Sequence, residues 1–172
     1  MKSIFLLLIP IFGMCIGCSR PNAEGLYSKA LDAQKNDQFD DAIDTYKELI
    51  RTYPDSTRTP EAYYAVGMIY LDQKRSYHDA IHTFQDLEDK YPNHGTAPNA
   101  SFLIGFIYNN NLKNIDSARI AYEDFLKRYS TNHLVGSVQF ELSNLGKDPA
   151  EILKAQTQIA QEEIKPVKKV KK

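Results

Sequence analysis

Asp41-Ala42-Ile43-Asp44-Thr45-Tyr46 comes back as Asp79-Ala80-Ile81-His82-Thr83-Phe84, and more loosely as Ser117-Ala118-Arg119-Ile120-Ala121-Tyr122. The alanines at 42, 80 and 118 stand 38 residues apart both times. The same interval relates Tyr46, Phe84 and Tyr122, then Leu49, Leu87 and Phe125, then Tyr53, Tyr91 and Tyr129. Within one copy, Ala42, Tyr46, Leu49 and Tyr53 are spaced by 3 or 4, which puts them on one face of an α-helix. A fixed period of this length is the mark of stacked supersecondary units.

A second helix precedes each of these. Tyr63, Gly67 and Tyr70 recur as Ser101, Gly105 and Tyr108. Thr59-Pro60-Glu61 offers a hydroxyl cap, a proline at the first helical position and an early carboxylate, and Pro98 repeats the proline. A glycine at 67 and 105 lets the paired helix come close. The first unit opens with a helix over about 23–35, with Leu26, Ala30 and Ala33 facing its partner. A fourth first-type helix is expected over about 134–145, carrying Phe140 and Ser143. Asp148-Pro149-Ala150-Glu151 resembles a capping box that opens a last helix over 147–164, with a thin stripe of Ile152, Leu153, Ala155 and Ile159.

The first eighteen residues have another logic. Lys2 precedes a short apolar run, Ile4 to Phe12, and Cys15-Ile16-Gly17-Cys18 closes it. The run is too short to span a bilayer and has the layout of an export signal. Its last four residues resemble the lipobox of bacterial lipoproteins, which implies cleavage after residue 17 and acylation of Cys18. An ordinary cleaved signal or a crude anchor helix is the alternative. Two cysteines give no disulfide framework, and with Cys18 acylated no thiol chemistry remains. A net charge of -1 makes no case for nucleic acid.

The repeated positions resemble the tetratricopeptide repeat over about 23–146. Leu26, Ala30, Ala42, Tyr46, Leu49 and Pro54 fall on its signature sites, as do Tyr63, Gly67, Tyr70, Ala80, Phe84, Leu87 and Pro92. The resemblance implies an all-α solenoid of about three helix pairs plus a partial fourth and a C-terminal capping helix. The extra four residues over the family's usual 34 are expected mainly in the linkers after Pro54 and Pro92. The family's groove residues come from the first helix of each unit. They fall here on Tyr27, Tyr64, Phe102 and Phe140, one per layer, with Leu31, Met68, Phe106 and Asn144 a turn on. Gln34, Leu71 and Asn109 follow. Such aromatics either bind an extended peptide or partner helix, or pack as core between units. The family's carboxylate clamp is missing: Tyr27, Asn99 and Leu103 stand where it needs cations, and Leu31 where it needs an asparagine. An apolar or amphipathic ligand is therefore expected.

With its leader, the chain resembles two envelope families. One is the BamD-like outer-membrane assembly lipoproteins; the other is the YbgF (CpoB) repeat domain associated with Tol-Pal. The resemblance implies a non-enzymatic scaffold, lipid-anchored through Cys18 to the outer membrane and facing the periplasm. Its partners would be β-barrel assembly subunits or client segments. A Tol-Pal coordinator or a secretin pilotin remains open beside it. Residues 18–22 form a short tether, and only about 14 Å of chain separates the lipid from the first helix. The Lys-rich tail, 165–172, is expected to be a solvated end or a contact with an anionic surface.

His78-Asp79-Ala80-Ile81-His82 resembles a helical zinc motif, and a small zinc hydrolase is the remote alternative. Asp79 and Ala80 are repeat positions, however, so the string reads as consensus with two incidental histidines. No phosphate loop or catalytic signature is present, and neither cofactor nor small-molecule substrate is expected.

Overall fold

The computed structural model describes residues 21–148, 150–154 and 157, and every regular element among them is helical. The helices are α1 (Ala23–Lys35), α2 (Phe39–Thr52), α3 (Arg58–Met68), α4 (Tyr77–Lys90), α5 (Ala97–Phe106), α6 (Ile115–Arg128) and α7 (Val135–Asn144). Residues 150–154 are helical as well. Each helix packs on the next, and α1 also touches α3. This is the all-α solenoid of stacked helix pairs that the resemblance implies. The leader, Cys18, most of the expected capping helix and the Lys-rich tail lie outside the described residues.

The core is built one layer at a time. Tyr46, Phe84 and Tyr122 are fully buried, and each anchors its own cluster. The repeat alanines 42, 80 and 118 are buried beside them. No helix pair could enclose these rings alone, so the stack is what removes them from water. Gly67 faces the Phe84 ring and Gly105 the Tyr122 ring, so tightly that a methyl group at either would overlap ring carbons. The expected close approach of the paired helices is thus real.

The linkers repeat as strictly as the helices. The carbonyls of Tyr53, Tyr91 and Tyr129 accept from the amides of Ser56, His94 and Asn132. The side chains of those three then accept from the amides of Arg58, Thr96 and Leu134. His94 therefore serves as a turn residue in the place of a serine and an asparagine. Tyr53 and Tyr91 hydroxyls donate to the Pro21 and Pro54 carbonyls, tying each unit to the chain before it.

Two expectations need correction and a third a refinement. Thr59 is no helix cap: α3 already starts at Arg58, and the buried Thr59 hydroxyl donates to the Tyr53 carbonyl. Of the extra residues, expected mainly in the linkers, one lies in the first helix of the later units. Ala30 to Ala42 is 12 residues, but Gly67 to Ala80 and Gly105 to Ala118 are 13. The thirteenth is absorbed where α3 and α5 widen into π-helical turns, Ile69–Gln73 and Ile107–Asn111. At Asp148 the side chain accepts from the Ala150 amide, two residues on, where a capping box would engage the third.

Candidate protein-binding groove

The first helices α1 and α3 leave a hollow of about 350 Å³ between them. Tyr27 and Leu31 line it from α1, Tyr64 and Met68 from α3, and Tyr46 and Ile69 lie beneath. Four of the residues assigned to the groove are thus brought together. Gln34 joins them, accepting from the Tyr46 hydroxyl at 3.3 Å. Among the described residues, Asp72 is the one charged side chain in this lining. Burial pushes the phenols of Tyr27, Tyr46 and Tyr64 above their usual range, with Asp72 adding to the effect on Tyr64. They stay protonated hydrogen-bond donors at neutral pH.

The same pairing recurs in the three complete layers. Tyr27 stands edge-on to Tyr46 at 5.5 Å, Tyr64 lies 5.8 Å from Phe84, and Phe102 lies 6.0 Å from Tyr122. Each outer ring rests on a core ring and remains half-buried. Groove and core are therefore not exclusive: each ring packs against a core ring and stays partly open to solvent. Phe106 lies 6.4 Å from Phe102, and Asn109 is half-buried on the π turn. Phe102, Phe106, Asn109 and Phe140 are not part of the hollow between α1 and α3. Phe140 is the most open of the column, at 44 % exposed. Leu71 is a correction: it is buried in the second cluster and presents nothing to a ligand.

Arg58 is the residue that sequence reasoning missed. Its guanidinium lies 4.8 Å from the Tyr27 ring centre and pairs with Glu24 and Glu61, both at 2.6 Å. It fixes the rim of the hollow by bracing α1 against α3. The period could not mark it, because Thr96 stands at its place in the next unit.

His78 and His82 both lie exposed on α4. The Asp79 carboxylate accepts from the Ser76 hydroxyl at 2.6 Å and so belongs to the helix start. Among the described residues, no group of three or more His, Cys, Asp or Glu could hold a metal ion. Nor is any described helix long and apolar enough to cross a membrane.

The sequence model of the tetratricopeptide repeat matches residues 24–56, 61–94 and 99–132. Its starts advance by 37 and then 38 residues, in step with the π-turn insertion. A search of curated proteins finds no match. Among solved structures, the chain is similar to the N-terminal domain of stress-induced protein-1 (STI-1) from C. elegans. The TM-score is 0.57 at 15 % identity, covering 70 % of this chain and 94 % of that one. It is also similar to the first tetratricopeptide domain of Spaghetti (RPAP3), bound there to the HSP90 peptide SRMEEVD. That match has a TM-score of 0.53 at 18 % identity, covering 72 % of this chain and 90 % of the other. At such identities the likeness concerns the fold.

Proposed function

Because this chain belongs to the tetratricopeptide repeat family, we propose that it is a protein-binding scaffold whose groove on the first-helix layer takes an apolar or amphipathic polypeptide segment. The observation that carries this is the row of half-buried rings, Tyr27, Tyr64 and Phe102, each backed by a core ring. A ring already held in place gives contact area with little further loss of rotamer freedom. The Spaghetti domain holds an acidic peptide. The hollow here is lined by aromatic, aliphatic and amide groups with one carboxylate, and the nearby Arg58 is engaged by two acids. An acidic chain end would gain no free cation here, so an apolar ligand fits better.

The location we propose is the bacterial envelope, with the chain moored by acyl groups on Cys18. Several buried acyl chains, at about 0.8 kcal/mol per CH₂, would make release negligible. Tyr53 already holds the Pro21 carbonyl, so three residue steps, about 11 Å of chain, separate that cysteine from the solenoid. The first unit would sit against the headgroups, leaving the groove to hold a neighbouring subunit or client. Outer-membrane protein assembly of the BamD-like kind is the role we favour. A Tol-Pal coordinator or a pilotin would use the same groove.

Two measurements test this. A photo-crosslinking residue at Met68 should capture a partner that the same residue at the exposed Glu48 does not. Purification with the leader intact should bring β-barrel assembly subunits; Tol-Pal components or a secretin would move the assignment to the other roles. Crosslinking that is equal at both positions would remove the groove from the reading. An unacylated mature terminus would remove the mooring.

A further inference from the structure

The second-helix layer carries a cleft of its own, and it occurs twice. Between α2 and α4 it is lined by Lys47, Ile50, Tyr63, Tyr70 and Thr83; between α4 and α6 by Gln85, Glu88, Ser101, Tyr108 and Ala121. Each residue of the second set stands 38 positions after its counterpart in the first. The two clefts are one architectural site with different furniture.

The first cleft is narrowed from within and keeps a space of about 300 Å³. The Lys47 ammonium donates to the Tyr70 hydroxyl at 2.8 Å and lies 5.4 Å from that ring's centre. Tyr63 and Ile50 add apolar bulk to its lining, and Lys90 donates to the Tyr63 hydroxyl at 2.9 Å.

The second cleft has lost this bulk. Gln85 replaces the lysine, Ser101 replaces the large ring, and the space widens to about 450 Å³. Where Ile50 stood there is an acid. Glu88 is 6 % exposed, and its Oε1 has no hydrogen-bond partner. Arg128 Nη1 stands 3.6 Å from that oxygen, too far to donate, and the same guanidinium also serves Asp89 at 3.6 Å and Asp124 at 3.0 Å. Four acids, Glu88, Asp89, Glu123 and Asp124, border the space against two bases, Lys127 and Arg128. Ile120, on the lining and 67 % exposed, offers an apolar strip to an aliphatic stem.

We propose that the cleft between α4 and α6 receives a basic side chain of a partner polypeptide, its ammonium or guanidinium head reaching Glu88 and Tyr108 in the place that Lys47 fills in the unit before. A buried carboxylate oxygen left without a donor is costly, and an external cation would supply the missing hydrogen bond. The site lies on the opposite layer from the aromatic groove and does not depend on it.

The test uses the whole protein and two fluorescent acetylated peptides, Ala-Ala-Lys-Ala-Ala and the same peptide with norleucine for lysine. The lysine peptide should bind saturably, and the norleucine peptide at least tenfold more weakly. Glu88→Gln should weaken the lysine peptide at least tenfold. Gln85→Lys, an exposed change that leaves the core untouched, should do the same by restoring the internal cation. Ser28→Ala, an exposed change on α1 away from both clefts and the groove, should change nothing. Equal binding of both peptides, no saturable binding by the unaltered protein, or full binding by Gln85→Lys would overturn the proposal.

Discussion

Gly67 and Phe84 are in contact through the one face of α3 that has no side chain. The ring belongs to the 38-residue period; the glycine is what lets the ring reach the helix backbone. Gly105 and Tyr122 reproduce the arrangement one unit on. Gly67→Ala should therefore cost about 1–3 kcal/mol through overpacking, although alanine favours helix. Gly136 gives the control: it is helical, and nothing lies within 4 Å of a methyl placed there. Gly136→Ala should gain about 0.5–1 kcal/mol. Urea midpoints of the two variants should move in opposite directions. A shift of the same sign for both would mean that helix propensity, and not the ring contact, sets the effect.

The outer aromatics divide by how much of each ring the fold uses. Phe102 rests on Tyr122, whereas Phe140, in the same column, is the more exposed. Phe102→Ala should lower stability by about 1–3 kcal/mol, somewhat less than a fully buried ring would. Phe140→Ala should stay within about 0.5 kcal/mol of the unaltered protein, as surface changes do. Thermal unfolding of both variants checks this. Equal losses would place Phe140 in the core after all.

Most of the fold could be read from Ala42, Tyr46, Leu49 and their copies. Burial of one helix face and the need to stack both follow from the spacing alone. What could not be read lies where equivalent positions do different work. Thr59 looks like a cap because a hydroxyl precedes a proline, yet Ala97 and Val135 occupy its place in later units. Its hydroxyl bonds across the linker, a contact that only the third dimension supplies. Leu71 sits in a run of groove residues but turns inward, because the π turn shifts the helix face there. Of the groove, the period located Tyr27, Leu31, Tyr64 and Met68 through the family resemblance. It had nothing to say about Arg58 or Glu88, because each breaks the repeat.

Glu88 makes stability depend on pH in a stated direction. Burial raises its carboxyl above the usual range; Ser101 and Arg128 offset this in part, while Asp124 and Asp89 reinforce it. A folded-state pKa above the unfolded one means that the folded protein holds the proton more tightly. The contribution is full below the unfolded value near 4.5 and is lost as pH rises through the folded value. Glu88→Gln should flatten that stretch of the stability profile. Glu88→Ile, which copies Ile50, should raise stability at pH 7 by about 1 kcal/mol or more, since an apolar residue replaces a buried charge. Denaturant titrations between pH 4 and 8 measure both. An unchanged slope in Glu88→Gln would assign the pH dependence to other groups.

Asp37, Arg75 and Lys113 end the first helix of successive units with φ of 59°, 51° and 54°. They too are 38 residues apart, so the reversal into each second helix uses a left-handed residue every time. Residues other than glycine adopt this conformation at a cost of about 1–2 kcal/mol, which aspartate reduces through its short polar side chain. Glycine removes the strain but loses more entropy on folding, so the gain is partial. Arg75→Gly and Lys113→Gly should each stabilise by about 0.5 kcal/mol, and Asp37→Gly by less. Arg75 and Lys113 are exposed, so no packing is lost with the side chain. Urea midpoints at constant slope check the order. A loss of stability in Arg75→Gly would show that the π turn before it, and not the φ angle, governs this reversal.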